Sequence, residues 1–355
     1  MLDTLKNILL LVLALSSIAV VHEFGHFITA KAFGVYCGEF SIGMGPEIFS
    51  HQFKETKFSL RAFLIGGYVS MAGETENQED DGSIPENRRL CNIHPVKRII
   101  VMLAGIFMNF IYAIVIVSII LLNSGYYGVS GNPVVKETSV DYPAYDVLQA
   151  GDYIKKVEFE NGSSLNVSDY SEMSAFLETY DGNGPWTITV DRNGEILTFD
   201  ITPQYVEEEN RYLMGATFDS YTYEKVTIFN CWGFAFDYLM MIFKLTINAL
   251  FDLFRGIGLD NLSGPVGMYS AVSEVREVGF EYYFILIAML SLNVGIMNAL
   301  PLPVLDGGRV VLTLIEVIIG HPVNKKIETI LMSVSIALIF LLFLVVTYRD
   351  ILKLF

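Results

Sequence analysis

Four stretches of this 355-residue chain are long enough to cross a bilayer and nearly empty of charge. Ile99 to Leu122 and Tyr282 to Leu305 are each 24 residues without a charge, and Ile330 to Tyr348 adds 19 more. The fourth lies between Lys6 and Lys31, where Glu23 is the only formally charged side chain. About 20 apolar residues span a hydrocarbon core. Backbone groups there must be bonded within their own segment, which selects helices. Ile8 to Val21 would also serve as the apolar core of a cleavable signal peptide. The apolar run, however, continues through His22-Glu23-Phe24-Gly25-His26 into Phe27-Ile28-Thr29-Ala30, so a retained span is expected.

The remaining chain is polar and uneven in charge. Residues 124 to 280 carry 9 Lys and Arg against 23 Asp and Glu. Such a surface repels phosphates, so a nucleic-acid partner is disfavoured. Three cysteines, Cys37, Cys91 and Cys231, form neither a disulfide framework nor a paired zinc-ribbon spacing.

The pattern His22-Glu23-x-x-His26 places two imidazoles one helical turn apart, where both reach one zinc ion with Glu23 beside them as general base. Ionisable side chains inside a span are costly and functional by default. Catalytic zinc commonly takes three protein ligands, which leaves one to find. His51 and His94 lie in a polar loop and His321 at a Gly-Pro turn. Asp306 is the better candidate, since it ends a charge-free run in which Pro301 and Pro303 break a helix at membrane depth. Asp306 would equally cap a following helix at Arg309 to Ile319, and its two oxygens allow both.

His22 and Asp306 meet only if the first and third spans run in the same direction, so residues 124 to 280 must leave and return on one side. Ile228 to Phe254 is apolar enough to cross. Its polar residues Asn230, Asp237, Lys244, Asn248 and Asp252 follow one helical stripe, which predicts an amphipathic helix lying on the membrane. The loop from Lys31 to Arg98 holds 8 Lys and Arg in 68 residues, which makes it the cytoplasmic one and puts the acidic block outside.

Pro143-Ala144, Leu148 to Ile154, a helical stretch near Asp169 to Tyr180 and the alternating Trp186-Thr187-Ile188-Thr189-Val190 resemble a single PDZ domain over about 127 to 205. Such a domain would bind a peptide by strand addition or serve only as a size-excluding cover. Gly34 to Gly73 is strand-like, with Phe58, Leu60, Ala62 and Leu64 alternating. It reads either as an edge strand that holds substrate extended or as a loop packed across the helices. Glu74 to Arg89 reads as a polar linker.

The expected fold is a polytopic α-helical membrane protein with four transmembrane helices, a membrane-associated β-rich loop and one inserted α+β PDZ-like domain. Its segments are the first transmembrane helix (1–33), the cytoplasmic loop and linker (34–95), the second helix (96–123), the PDZ-like domain (124–210), a linker with the interfacial helix (211–280) and the last two helices (281–355).

Together these residues resemble the site-2 protease family of intramembrane zinc metalloproteases, specifically the bacterial RseP group, over nearly the whole chain. The matching pieces are His22 to His26, Gly43-Met44-Gly45-Pro46, Gly66 to Glu74, Asn261-Leu262-Ser263-Gly264-Pro265-Val266-Gly267 and Asn298 to Gly308. The resemblance implies Zn2+ held by His22, His26 and Asp306, with Glu23 as base, Asn298 near the substrate or oxyanion, and Asn293 as a further candidate. Asn109 in Ala104-Gly105-Ile106-Phe107-Met108-Asn109 matches a second-span pattern that usually has proline where Ile106 stands, so a kink expected there is in question. The resemblance also implies single-span membrane-protein substrates already cut by another protease, such as anti-sigma factors or remnant signal peptides. The setting it implies is the bacterial cytoplasmic membrane, with the PDZ-like domain extracytoplasmic. Two other classes compete. An inactive PDZ-containing adaptor predicts no zinc dependence, and a small transporter predicts repeated halves, which the sequence lacks.

Overall fold

The computed structural model describes residues 2–74, 84–180, 182, 184–207, 211–218, 221–254 and 264–352. Asn261, Leu262 and Ser263 of the motif above lie outside these residues, as does most of the polar linker after Glu74. Contacts divide the chain into two units, residues 1–123 with 228–355, and residues 124–227.

The first unit opens with α1 (Leu2–Ala32), whose Asp3 and Lys31 suit the partial charges of its two ends. Two long strands follow, β1 (Cys37–Phe53) and β2 (Thr56–Met71). They are bent rather than straight. Phe40 pairs with both Phe58 and Val69, and Ile42 with both Leu60 and Gly67. The run 39–42 therefore lies between 57–60 and 67–70, and 67–71 forms an edge. The bends fall at Gly43 and Gly66, whose φ values of 84° and 76° favour glycine. Phe27 of α1 meets Phe40 and Phe58 at ring separations of 5.3 and 5.7 Å, which seats the sheet on the helix. Arg88 and Lys31 both bond Glu55 at the tip, and these bonds hold its carboxyl down at about 2.

α2 (Pro95–Ser124) runs unbroken through Ile106, where the family pattern usually has proline. The second unit then begins. It holds β3 (Tyr126–Ser130), β4 (Val135–Thr138), β5 (Tyr153–Phe159), β6 (Ser164–Asn166), α3 (Tyr170–Leu177), β7 (Trp186–Arg192), β8 (Glu195–Ile201), β9 (Gln204–Val206), β10 (Arg211–Leu213), β11 (Ala216–Phe218) and β12 (Tyr221–Lys225). β3 pairs with β12, so the chain leaves and returns at adjacent points. The main sheet has the order β6-β5-β7-β8, and β4 pairs with β11. Trp186, Ile188 and Val190 alternate into the core with Ile154, Val157 and Met173, as period-two burial requires. The Asp169 side chain caps α3 by accepting from the Glu172 amide at 2.9 Å. Asp152, 1% exposed, is gripped by Arg192 at 2.7 Å through both carboxylate oxygens.

The first unit resumes with α4 (Cys231–Phe254), α5 (Pro265–Val278), α6 (Phe280–Asn298), α7 (Asp306–Ile319) and α8 (Lys325–Leu352). Among the described residues five helices, α1, α2, α4, α6 and α8, are long and apolar enough to cross a membrane. The four expected spans omitted α4. Its polar stripe is exposed at Asp237, Lys244 and Asn248, as expected; Ala235 and Leu239 are buried, while Phe236, Met241 and Leu245 remain exposed. Ala235 and Leu239 join one cluster with Ala14, Ile18, Ala113 and Ile287. The Thr246 hydroxyl donates to Asn293 Oδ1 of α6 at 3.1 Å, and Phe243 meets Phe110 of α2 at 6.3 Å. α1 and α6 run in the same direction, because the Tyr283 hydroxyl donates to the Leu10 carbonyl near the start of both, and His22 and Asn298 line one cavity near their far ends. The Asp350 carboxylate of α8 accepts from the Gly264 and Gly267 amides, which caps α5 from outside its own sequence.

Burial alone would raise the Asp152 carboxyl, but the Arg192 guanidinium outweighs it and brings it below the usual carboxylate range. This stabilisation is present above the unfolded value of about 3.9 and is lost as pH falls through the folded value. Arg192→Met should weaken the second unit by about 3 kcal/mol at neutral pH. The deficit should shrink on acidification, because burial without Arg192 favours the neutral acid. Hydrogen exchange of the β7 amides in the full chain, measured at pH 7 and pH 4, checks both statements.

Candidate metal centre

The site is assembled by three segments of the first unit. α1 presents His22 and His26 on one face, a consequence of the four-residue spacing on a helix of 3.6 residues per turn. α6 ends at Asn298, and the stretch through Pro301 and Pro303 brings the chain back to start α7 at Asp306. This return is tight. A Cβ on Gly307 would lie 2.2 Å from the Ala299 carbonyl, and one on Gly308 would lie 2.1 Å from that of Leu302. The position preceding α7 is Leu305, which makes no side-chain cap, so the Asp306 carboxylate is left for the histidines.

Three donor atoms converge. His22 Nε2 lies 2.9 Å from Asp306 Oδ2, His26 Nε2 lies 3.3 Å from the same oxygen, and the two ring nitrogens are 3.1 Å apart. Both histidines are buried, and the Asp306 oxygen makes no hydrogen bond despite these distances. A zinc ion with bonds of about 2.0–2.1 Å in tetrahedral geometry sets its ligand atoms about 3.3 Å apart. The triangle matches that spacing. His26 Nδ1 faces the Val101 carbonyl at 2.8 Å, an acceptor only, so its proton sits there and the Nε2 lone pair points into the triangle. Room for the rings comes from α2, where a Cβ on Gly105 would lie 2.5 Å from His26 Nε2 and 2.8 Å from His22 Nε2. The donor set and its surroundings fit zinc.

Glu23 and Asn298 share with these three a cavity of about 350 Å³, which Val69, Glu74 and Arg309 also line. Glu23 Oε2 accepts from the Val69 amide of the edge run of β2 at 3.0 Å. Arg309 bonds Glu74. Asn293 is not in the cavity; it faces α4 through Thr246. His51, His94 and His321 are exposed elsewhere. Among the described residues, His22, His26 and Asp306 are the one cluster of three such donors. Sequence reasoning met Gly105 and Val69 only inside matching motifs, without a role, and did not name Val101. The last two act through their backbones, which leave no residue-type signal; Gly105 is detectable only once α2 is known to back the histidines.

The sequence profile of Peptidase family M50 matches residues 10–342. The chain belongs to this family. The M50 chain is 34% identical over 98% of its length to a Fusobacterium nucleatum protein named as a zinc metalloprotease, 99% of which is covered. A Clostridium acetobutylicum protein named the same way is 31% identical, with 97% of each chain covered. The regulator of sigma-W protease RasP of Bacillus subtilis is 29% identical, with 99% of each covered. Among solved structures, the PDZ domain of an SdrC-like protein from Listeria innocua matches over 26% of this chain and 98% of that one, at 17% identity and a TM-score of 0.22. This M50 member is a zinc metalloprotease of the site-2 type.

Gly105→Ala should abolish stoichiometric zinc binding while the helices remain folded, because the added methyl falls on both imidazoles. Metal analysis beside circular dichroism of the detergent-solubilised variant checks this.

Proposed function

We propose that His22, His26 and Asp306 hold one zinc ion and that Glu23 is the general base in the hydrolysis of peptide bonds within or near the transmembrane segment of single-span membrane proteins. The observation that carries the proposal is the triangle of His22 Nε2, His26 Nε2 and Asp306 Oδ2 with all three sides between 2.9 and 3.3 Å. Zinc bound there supplies a Lewis acid that polarises the scissile carbonyl and acidifies water. Glu23, one residue from His22 and open to the same cavity, takes the proton of the attacking water and delivers it to the leaving amine. Asn298, which lines the same cavity, donates to the oxyanion in this reading. Asn293 is set aside, because its amide oxygen is engaged by Thr246.

A scissile bond inside a helix is closed to attack until that helix is drawn out. The edge run 67–71 offers backbone groups for strand addition, with the Val69 amide already turned toward Glu23. Substrates drawn out in this way are membrane proteins already trimmed outside by another protease, such as anti-sigma factors or remnant signal peptides. RasP, a relative over its whole length, is named as a regulator of a sigma factor, which supports the same reading here.

In the topology we favour, α1, α2, α6 and α8 cross the cytoplasmic membrane. α4 dips alongside α2 and α6 to the level of Asn293, and α5 returns the chain to the start of α1, where Ser273 accepts from Asn7. Residues 34–95 then face the cytoplasm. The 124–227 unit is PDZ-like and extracytoplasmic, and its cavity of about 730 Å³ between α3 and residues 212–218 takes an extended peptide. The adaptor reading gains no support, because an idle scaffold has no need of the donor triangle.

Glu23→Gln should bind about one zinc and cleave nothing, whereas His22→Ala and Asp306→Ala should lose both zinc and cleavage. The assay is cleavage of a pre-trimmed single-span protein by purified enzyme, with metal content measured in parallel. Cleavage by Glu23→Gln would remove Glu23 from its role.

A further inference from the structure

We propose that Asn109 is a positioning residue for the metal centre, its side-chain oxygen accepting the Nδ1 proton of His22 and leaving the Nε2 lone pair of that ring turned toward His26 and Asp306. The inference rests on the zinc reading above and extends it to α2.

Asn109 is fully buried in a helix whose other buried residues are nearly all apolar. A buried amide in such surroundings is costly unless it is bonded. Among the described residues its side chain bonds His22, with Asn109 Nδ2 3.2 Å from His22 Nδ1, while Asn109 Oδ1 makes no hydrogen bond. The two ends of an amide have the same shape, so the pocket admits either orientation. With the nitrogen toward the ring, the amide donates to Nδ1 and the ring proton is forced onto Nε2, into the triangle. With the oxygen toward the ring, Nδ1 keeps the proton and Nε2 is free to ligate. Only the second arrangement is compatible with three ligands, and it gives His22 what the Val101 carbonyl gives His26.

The spacing supports this division of labour. Val101, Gly105 and Asn109 are four residues apart and lie on one face of α2, so one stripe orients His26, makes room for both rings and orients His22. α6 clamps the stripe from behind. The Ser291 hydroxyl donates to the Asn109 carbonyl at 2.9 Å, and Gly295 lies beside Asn109, where an added Cβ would stand 3.5 Å from the Asn109 Cβ.

The test uses the full chain in detergent. Zinc affinity is read by competition with a chromophoric chelator for wild type, Asn109→Leu and Asn109→Asp, and metal-free melting is recorded for each. Asn109→Leu keeps the volume and removes the acceptor. It should bind zinc about 10- to 100-fold more weakly with an unchanged metal-free melt. Asn109→Asp restores an acceptor and should return affinity to within a few-fold of wild type. A leucine variant that binds as wild type does, or a folded aspartate variant as weak as leucine, overturns the proposal and leaves the zinc reading intact. Wild type without zinc overturns both. Should either variant misfold, the 15N spectrum of zinc-loaded protein decides, in a background where exposed His51, His94 and His321 are replaced by Gln. Both remaining rings should carry their proton on Nδ1, and a His22 ring bare at Nδ1 overturns the assignment.

Discussion

Three donor atoms from two separate helical segments lie within 3.3 Å of one another, and much of the first unit is arranged so that they can. Two imidazoles and a carboxylate buried at membrane depth are a large cost unless each finds a partner. Their mutual approach leaves Asp306 Oδ2 without a hydrogen bond, an arrangement that a cation between the three would resolve. The parallel course of α1 and α6 goes with this approach.

Close approach of backbones is the means. Gly25 of α1 lies against the Ala104 carbonyl of α2, so close that a Cβ would fall 2.4 Å from it. This contact brings the adjacent Gly105 behind the imidazoles. Gly307 and Gly308 do the same for the turn that carries Asp306. Small residues at helix contacts let helices pack closely where apolar burial supplies no drive. Here the close packing also sets the shape of the cavity. The bent sheet adds the remaining wall, since Gly43 and Gly66 fold β1 and β2 so that the 67–71 edge, and not its paired side, meets Glu23.

The differences between sequence and structure have separate physical causes. The polar stripe of α4 was legible and is exposed, but a stripe says only that the opposite face is covered, not by what. Here α2 and α6 meet it through Phe243 and Thr246, while Phe236, Met241 and Leu245 stay exposed. Asn293 and Asn298 are equivalent as residue types. Five positions on a helix correspond to a turn of about 140°, so only one faces the cavity and the other faces Thr246. The pattern around Asn109 was visible without a role, because its partner lies 87 positions away.

The sequence by itself determined the helical membrane class, the pair of histidines with Glu23 between them, Asp306 as a candidate companion and the inserted acidic unit. Each of these is carried by local periodicity, by residue type at fixed spacing, or by the cost of charge in hydrocarbon, which are properties of short segments. The tertiary structure decided the spacing of the donor triangle, the tautomer of His26 through the Val101 carbonyl, the Val69 amide on Glu23, which of Asn298 and Asn293 lines the cavity and the packing of α4. Each of those depends on backbone groups or helix rotation across long sequence separations, and neither leaves a mark in residue type.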